Sequence, residues 1–405
     1  MILKQNADLT FKYNIKKGRY GWLRLTPAYS VKIVETILSR FSNDINILEP
    51  FSGTATTGLA SGYHNFKATC IDINPFLIWF GNAKTRIYTD NELENTKKYF
   101  QEIICRYKLK QPSNNHLPNM SNIERWWTPT RLRDISHLKV CIDTIISENS
   151  KEKDLILIAF CKVLITLSNA DFGHQSVSLK KNNDQISLFE IDEIITTFDY
   201  EIRCIIDSAK ENPSKEPDII LCDSINMTLN TKKFNLIITS PPYPNRMSYI
   251  RELRPYMYWL NFFNEAKEAG ELDCKCIGGT WGIATSRLNE WELNKDAFIP
   301  KYLFDIVSAI KKSNNKHSIV LANYVCKYFE NMWFHLLNMQ KLLYSKAEVH
   351  YIIGNSVFYN IIVPSEKIFA DMFSELGFVK IEIVPIRKRN SKKELIEFDV
   401  IAFKK

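Results

Sequence analysis

The chain has 405 residues, 24% charged, 45% hydrophobic and 12% aromatic, which excludes a disordered or fibrous protein and suits an enzyme core with an added region. Lys and Arg number 53 against 45 Asp and Glu, a formal charge of +8 that permits a polyanionic partner without demanding one. No apolar run is long enough to span a bilayer, the opening MILKQNADLTFKYNIKKGRY lacks a signal-peptide core, and nine cysteines without a CxxC pair suggest a cytoplasmic, metal-free chain.

Ile45–Glu49 reads as a short buried strand, followed by a turn at Pro50, Ser52 and Gly53 and a helical pattern over Thr56–Tyr63. Ala68–Ile73 is a second strand, and Pro75 opens another helix. Residues 91–215 read as a helical insertion, with Pro129–Ser147 and Asp154–Leu167 as its clearest helices and Thr128 as the N-cap of the first. Strands return at Asp218–Cys222 and Phe234–Thr239, followed by an aromatic helix over Tyr249–Phe263 and a loop-rich stretch at 265–292. Helices are expected at Lys301–Lys312, Phe329–Leu343 and Ser365–Leu376, and strands at Glu348–Ile353, Val379–Pro385 and Glu397–Phe403. The fold class is therefore α/β.

Glycine is scarce, only 13 residues, yet Gly53, Gly58 and Gly62 fall together in NILEPFSGTATTGLASGYH. A glycine turn lets backbone approach a ligand closely, and the helix after it offers free N–H groups to an anion. Asp72, about 20 residues beyond Gly53, ends the second strand where dinucleotide sites place a ribose-binding acid. By itself this pattern is also a tight strand–helix turn without a ligand. It is not a phosphate-binding loop, since no GK[ST] follows.

LIITSPPYPNRMSY, residues 236–249, sets two prolines directly after an apolar strand. Ser240 can both accept and donate, a carbonyl of the proline turn can accept, and Tyr243 offers a flat face. Such a turn can grip a planar group that bears an NH2.

Together, FSGTATTG and TSPPY resemble the S-adenosylmethionine-dependent DNA amino-methyltransferases, which modify cytosine N4 or adenine N6. The resemblance covers 19–82, 218–260 and the C-terminal strands, in the unpermuted order. It implies a seven-stranded, mostly parallel, Rossmann-like methyltransferase sheet with an antiparallel C-terminal hairpin. Residues 1–90 would be the cofactor-binding half, 91–215 an insertion that could serve target recognition, and 216–405 the catalytic half. S-adenosyl-L-methionine is the implied cofactor. Thr26, Pro27, Glu49, Pro50, Phe51, Ser52, Gly53, Thr54, Thr56 and Thr57 would surround its methionine part, Asp72 and Ile73 its ribose and adenine, and Asp223 and Ser224 the adenine amino group. Ser240, Pro241, Pro242 and Tyr243 would be the catalytic tetrapeptide. The family's second glycine is Ala55 here, so the turn must avoid positive φ at that position or tolerate strain.

The implied activity is methyl transfer to the N4 of cytosine in duplex DNA, within a restriction-modification or phage-defence system and with a cognate endonuclease or defence partner. Adenine N6, an RNA base amino group and a catalytically silent DNA-binding module remain open alternatives. DNA contacts are expected from Arg246 and from the hairpin tip, Arg387, Lys388, Arg389, Asn390 and Lys392, where clustered cations suit phosphates. Arg125, Trp126, Trp127, Arg131 and Arg133 fit either a stacking patch on DNA or a helix docked on its neighbour.

Overall fold

The structure is a computed structural model that describes residues 3–25, 28–42, 44–109, 117–171, 178–179, 190–229, 233–279, 283–313, 315–389 and 394–405. Thr26, Pro27, Asn390 and Lys392 lie outside the described residues.

Parallel strands covered on both faces need unbroken apolar runs rather than alternation. Ile47 and Leu48, Cys70 and Ile71, and Leu236, Ile237 and Ile238 are all fully buried. They belong to a seven-stranded sheet of β1 (Asn46–Glu49), β2 (Lys67–Asp72), β3 (Asp218–Leu221), β4 (Phe234–Thr239), β5 (Leu343–Gly354), β6 (Val379–Lys388) and β7 (Ile396–Phe403). Their spatial order is β6-β7-β5-β4-β1-β2-β3. β1 pairs in parallel with β2 and β4, β2 with β3, and β4 with β5. β7 runs antiparallel to both β5 and β6, so it is the reversed strand of the sheet. This is the α/β, mostly parallel Rossmann-like sheet with an antiparallel terminal hairpin. The order reverses between β1 and β4, which opens a crevice at their carboxyl ends.

Caps explain several helix starts. Asn74 accepts from the Phe76 N–H ahead of a helix over Pro75–Thr85, and Thr128 accepts from the Arg131 N–H ahead of Pro129–Ile145. Where the start is less conventional, the structure differs from the expectation. The stretch 265–292 holds helices Ala266–Lys275 and Ile283–Arg287, the first opened by a capping box between Glu265 and Glu268. The helix expected at 329 begins at Ser318 and runs to Met339, without a side-chain cap at His317.

Between β2 and β3 lie helices Asp90–Leu109, Pro129–Ile145, Lys151–Thr166 and Glu190–Ala209. They share one apolar core with Pro75–Thr85 and Tyr249–Trp259. Trp259 meets Trp127 and Phe160 edge-on, with ring centroids 5.9 and 6.0 Å apart, and Phe76 stacks on Tyr256 at 5.6 Å. Trp126 and Trp127 are 3% and 0% exposed, and the Trp127 indole donates to the Leu164 carbonyl at 2.9 Å. Of the two readings of this tryptophan pair, helix docking is the one the structure adopts. Arg131 is likewise turned onto the Leu167 carbonyl and Glu193.

Candidate active site

The turn after β1 begins on a buried carboxylate. Glu49, 1% exposed, accepts from the Phe51 N–H at 3.1 Å, the Tyr29 hydroxyl at 2.8 Å, the Thr57 hydroxyl at 2.7 Å and the Thr239 hydroxyl. Burial pushes its pKa up to about 7, against the pull of those donors. Beyond it, Gly53 takes φ +51° and Ala55 φ +54°. A non-glycine residue in this region costs about 1–2 kcal/mol, so the turn tolerates strain at Ala55. The Ala55 methyl is fully buried, in reach of the position a Cβ would occupy at Gly81.

Asp72 closes the turn from β2. Its Oδ2 accepts from the Gly53 N–H and its Oδ1 from the Asn74 N–H, each at 2.9 Å. Burial raises its pKa to about 6, partly offset by those backbone bonds. From below, Lys84 donates to the Thr54 carbonyl at 2.6 Å while wholly buried beside the rings of Tyr20 and Phe80. Desolvation lowers its pKa to about 7. His335 ties two walls together. Its Nδ1 lies 2.9 Å from the Ser224 carbonyl, its Nε2 lies 2.7 Å from the Tyr351 hydroxyl, and its ring centroid is 4.8 Å from that of Phe51. Burial holds its pKa at about 4, so the neutral ring donates from Nδ1 and accepts at Nε2.

These elements frame a cleft of about 920 Å³, part of it open to solvent. Pro50, Phe51, Ser52, Gly53, Thr54, Thr56, Asp72, Ile73, Asp223 and Ser224 line it, and so do Ser240 and Pro242. The two sequence motifs therefore meet in one cavity. Glu49 and Thr57 do not line it; they lie beneath its floor and brace the turn. Leu25, Tyr29, Asn74, Leu77, Tyr249 and the segment Lys275–Ile277 are further wall residues that the sequence reading did not name as site residues. The sequence signal that could have found Asn74 is its capping position in DINP.

Helix Ser318–Met339 buttresses the proline turn. The Tyr328 hydroxyl donates to the Pro242 carbonyl at 2.7 Å, and the Arg246 N–H donates to the Tyr324 hydroxyl at 3.1 Å. Pro241 is buried and Arg246 is exposed. Tyr243 lies at the edge of a second, more polar cleft, shared with Gln5, Asn6, Lys12, Arg387, Arg389 and Glu397. There the arginines expected to meet phosphate are engaged within the protein. Arg387 pairs with Glu397 at 2.7 Å, while Arg389 donates to the Asn355 carbonyl at 2.8 Å and sits 4.9 Å above the Tyr243 ring. Lys388 is half-buried, its N–H bonded to the Lys4 carbonyl.

Among the described residues, no three His, Cys, Asp or Glu are grouped to hold a metal, and no helix is long and apolar enough to cross a membrane. All nine cysteines are free thiols.

The chain is similar over nearly its whole length to the Type II methyltransferase M.BsoBI of Geobacillus stearothermophilus, at 22% identity over 98% of this chain and 86% of the relative. It is also similar to the Type II methyltransferase M.AvaI of Nostoc sp. (strain PCC 7120 / SAG 25.82 / UTEX 2576), at 22% identity over 96% of this chain and 85% of that one. No family model matches, and no solved structure matches. The chain is a distant homologue of type II methyltransferases.

Proposed function

We propose that the protein is a site-specific DNA methyltransferase that uses S-adenosyl-L-methionine and modifies an exocyclic amino group, the N4 of cytosine. The observation that carries the reading is the single cleft in which the Gly53–Asp72 turn and the Ser240–Pro242 turn face each other. Type II methyltransferase relatives that align with nearly the whole of this chain support the same class.

The donors present suit the cofactor. The Asp72 carboxylate accepts from the Gly53 N–H on one oxygen and the Asn74 N–H on the other, and its remaining lone pairs face the cleft for ribose hydroxyls. Phe51, Ile73, Leu77 and Ile277 give apolar faces for an adenine ring, and Asp223 gives an acceptor for its amine. When bound, S-adenosylmethionine supplies an electrophilic methyl group.

The chain's own residues then prepare the nucleophile. A base must leave the duplex to reach the cleft, at a cost of a few kcal/mol. Its amine is a weak nucleophile because the lone pair is delocalised into the ring. Ser240 accepts one amino hydrogen. We assign the second hydrogen to a carbonyl of the proline turn, where the Pro242 carbonyl accepts from Tyr328 and keeps a second lone pair. Both bonds favour a pyramidal nitrogen with its lone pair free, and Tyr243 holds the ring by stacking. Positioning of this kind needs no covalent intermediate.

Cytosine is put ahead of adenine on the family resemblance, in which Ser before PPY goes with cytosine N4 and Asp or Asn with adenine; a serine hydroxyl can donate to a ring nitrogen while accepting from the amine, and adenine N1 offers the same acceptor as cytosine N3. The exposed Arg246, together with Lys388, Asn390 and Lys392 near the hairpin tip, is assigned to phosphate contacts, and the insertion to target recognition. A cognate endonuclease or defence partner completes the reading.

The test is incubation with S-adenosylmethionine and PCR-amplified genomic DNA, which carries no methylated bases, followed by digestion to nucleosides and mass spectrometry. N4-methylcytosine supports the full reading. N6-methyl-2′-deoxyadenosine alone moves the target base and leaves the class standing, and no methylated base overturns it.

A further inference from the structure

The Tyr243 phenol is held from three directions. Its hydroxyl donates to Glu397 Oε1 at 2.8 Å, the Ser240 hydroxyl lies 3.4 Å away, and the Arg389 guanidinium covers one face of the ring. Glu397 is 3% exposed, and its charge is balanced by Arg387, whose Nε reaches Oε2 at 2.7 Å and whose Nη2 reaches Oε1 at 3.1 Å. A fork of this kind fixes both carboxylate oxygens. The register explains how the group is assembled. Arg387, Glu397 and Gly354 lie side by side across β6, β7 and β5. A Cβ at Gly354 would collide with the Arg389 guanidinium and lie 3.1 Å from the Tyr243 ring, so glycine leaves the room in which the arginine and the tyrosine meet.

We propose that Glu397, locked by Arg387, is the positioning residue for Tyr243 and sets the ring angle at which the target base is held. The inference rests on the methyltransferase reading of the tetrapeptide. Two of the hairpin's arginines thereby act on the active site from inside the protein instead of on DNA phosphates. The Glu397 carboxylate accepts the phenol proton's hydrogen bond without taking the proton, since burial and the neighbouring carboxylate hold the Tyr243 pKa well above its ordinary value. The ring therefore stays neutral and fixed in orientation.

The experiment is a double-mutant cycle on the full chain with Glu397→Gln, Tyr243→Phe and the double variant. It measures initial rates of tritiated methyl transfer from S-adenosylmethionine to PCR-amplified genomic DNA, and cofactor affinity by calorimetry. Each single change should lower kcat about ten- to hundred-fold, the equivalent of one hydrogen bond to a charged group. The double variant should be no slower than Tyr243→Phe, because Glu397 acts through the hydroxyl that this variant lacks. Cofactor affinity should stay within twofold, since Glu397 does not line the cofactor cleft. Multiplying losses, or a Glu397→Gln variant with wild-type kcat, would overturn the inference. If Glu397→Gln does not fold, Glu397→Asp, which keeps the charge opposite Arg387 but draws back from the phenol, carries the same cycle. A wild-type chain that transfers no methyl group rejects the methyltransferase reading itself, an outcome distinct from failed coupling in an active enzyme.

Discussion

Thr239 donates its hydroxyl to Glu49 across the junction of β4 and β1. The residue after Thr239 is Ser240 and the residue after Glu49 is Pro50, so the two turns that line the cleft leave the sheet from one shared buried carboxylate.

That carboxylate should mark the pH dependence of stability. Its folded pKa of about 7 lies above the unfolded value near 4.5, so the native state holds the proton longer. The contribution is complete below about pH 4.5 and is lost as pH rises through about 7, by roughly 3 kcal/mol at most. Glu49→Gln, which cannot ionise, should gain on the wild type over this window in denaturant unfolding. Parallel curves for the two proteins would remove Glu49 as the titrating group.

Asp72 predicts a pH dependence of cofactor binding. As a carboxylate it accepts ribose hydroxyls; protonated below about pH 6 it loses acceptor capacity. S-adenosylmethionine affinity, followed by calorimetry from pH 5 to 7.5, should rise through about 6. Asp72→Asn should bind about ten- to hundred-fold more weakly at pH 7.5 and show little of the rise. Wild-type affinity in a folded Asp72→Asn would count against Asp72 as the ribose acceptor.

Lys84 has the opposite sign from Glu49. The unfolded chain keeps this proton up to about 10.5 and the native state only to about 7. Unfolded protein therefore binds more protons between those values, and stability climbs with pH there. Lys84→Met should be more stable than wild type near pH 7, with the margin narrowing toward pH 9.5. A variant less stable at pH 7 would mean that the Thr54 bond outweighs desolvation.

Ser240→Ala should lower kcat and leave cofactor affinity nearly unchanged, because its hydroxyl acts on the base. A large rise in the cofactor's Kd with normal kcat would place Ser240 in cofactor binding instead.

How much of this was legible follows the range of each interaction. The turn from Pro50, the acid ending β2 and the proline turn after β4 are local patterns of a few residues, and residues of all three line one cleft. The brace beneath them was not legible, because Glu49 reaches Thr239 across 190 residues and Tyr328 reaches Pro242 across 86. The helix carrying Tyr324 and Tyr328 was expected to start at 329; without a capping side chain at His317, its first three turns carry no start signal. The charge run at the hairpin reads as a phosphate-contacting tip until the register shows Arg387 opposite Glu397. Composition marks a cation but not its partner.

The place of β7 between β5 and β6 has a consequence for folding order. The walls of the cofactor cleft come from residues 25–277, whereas the Tyr243 clamp waits for Glu397, 154 residues downstream and flanked by two strands. The cleft's own brace is longer in sequence, 190 residues from Glu49 to Thr239, so what sets the clamp apart is that its strand must enter between two others. A chain caught before that strand inserts could hold the cofactor yet lack the fixed tyrosine, so the gap between cofactor binding and turnover during refolding is a clock for closure of the sheet.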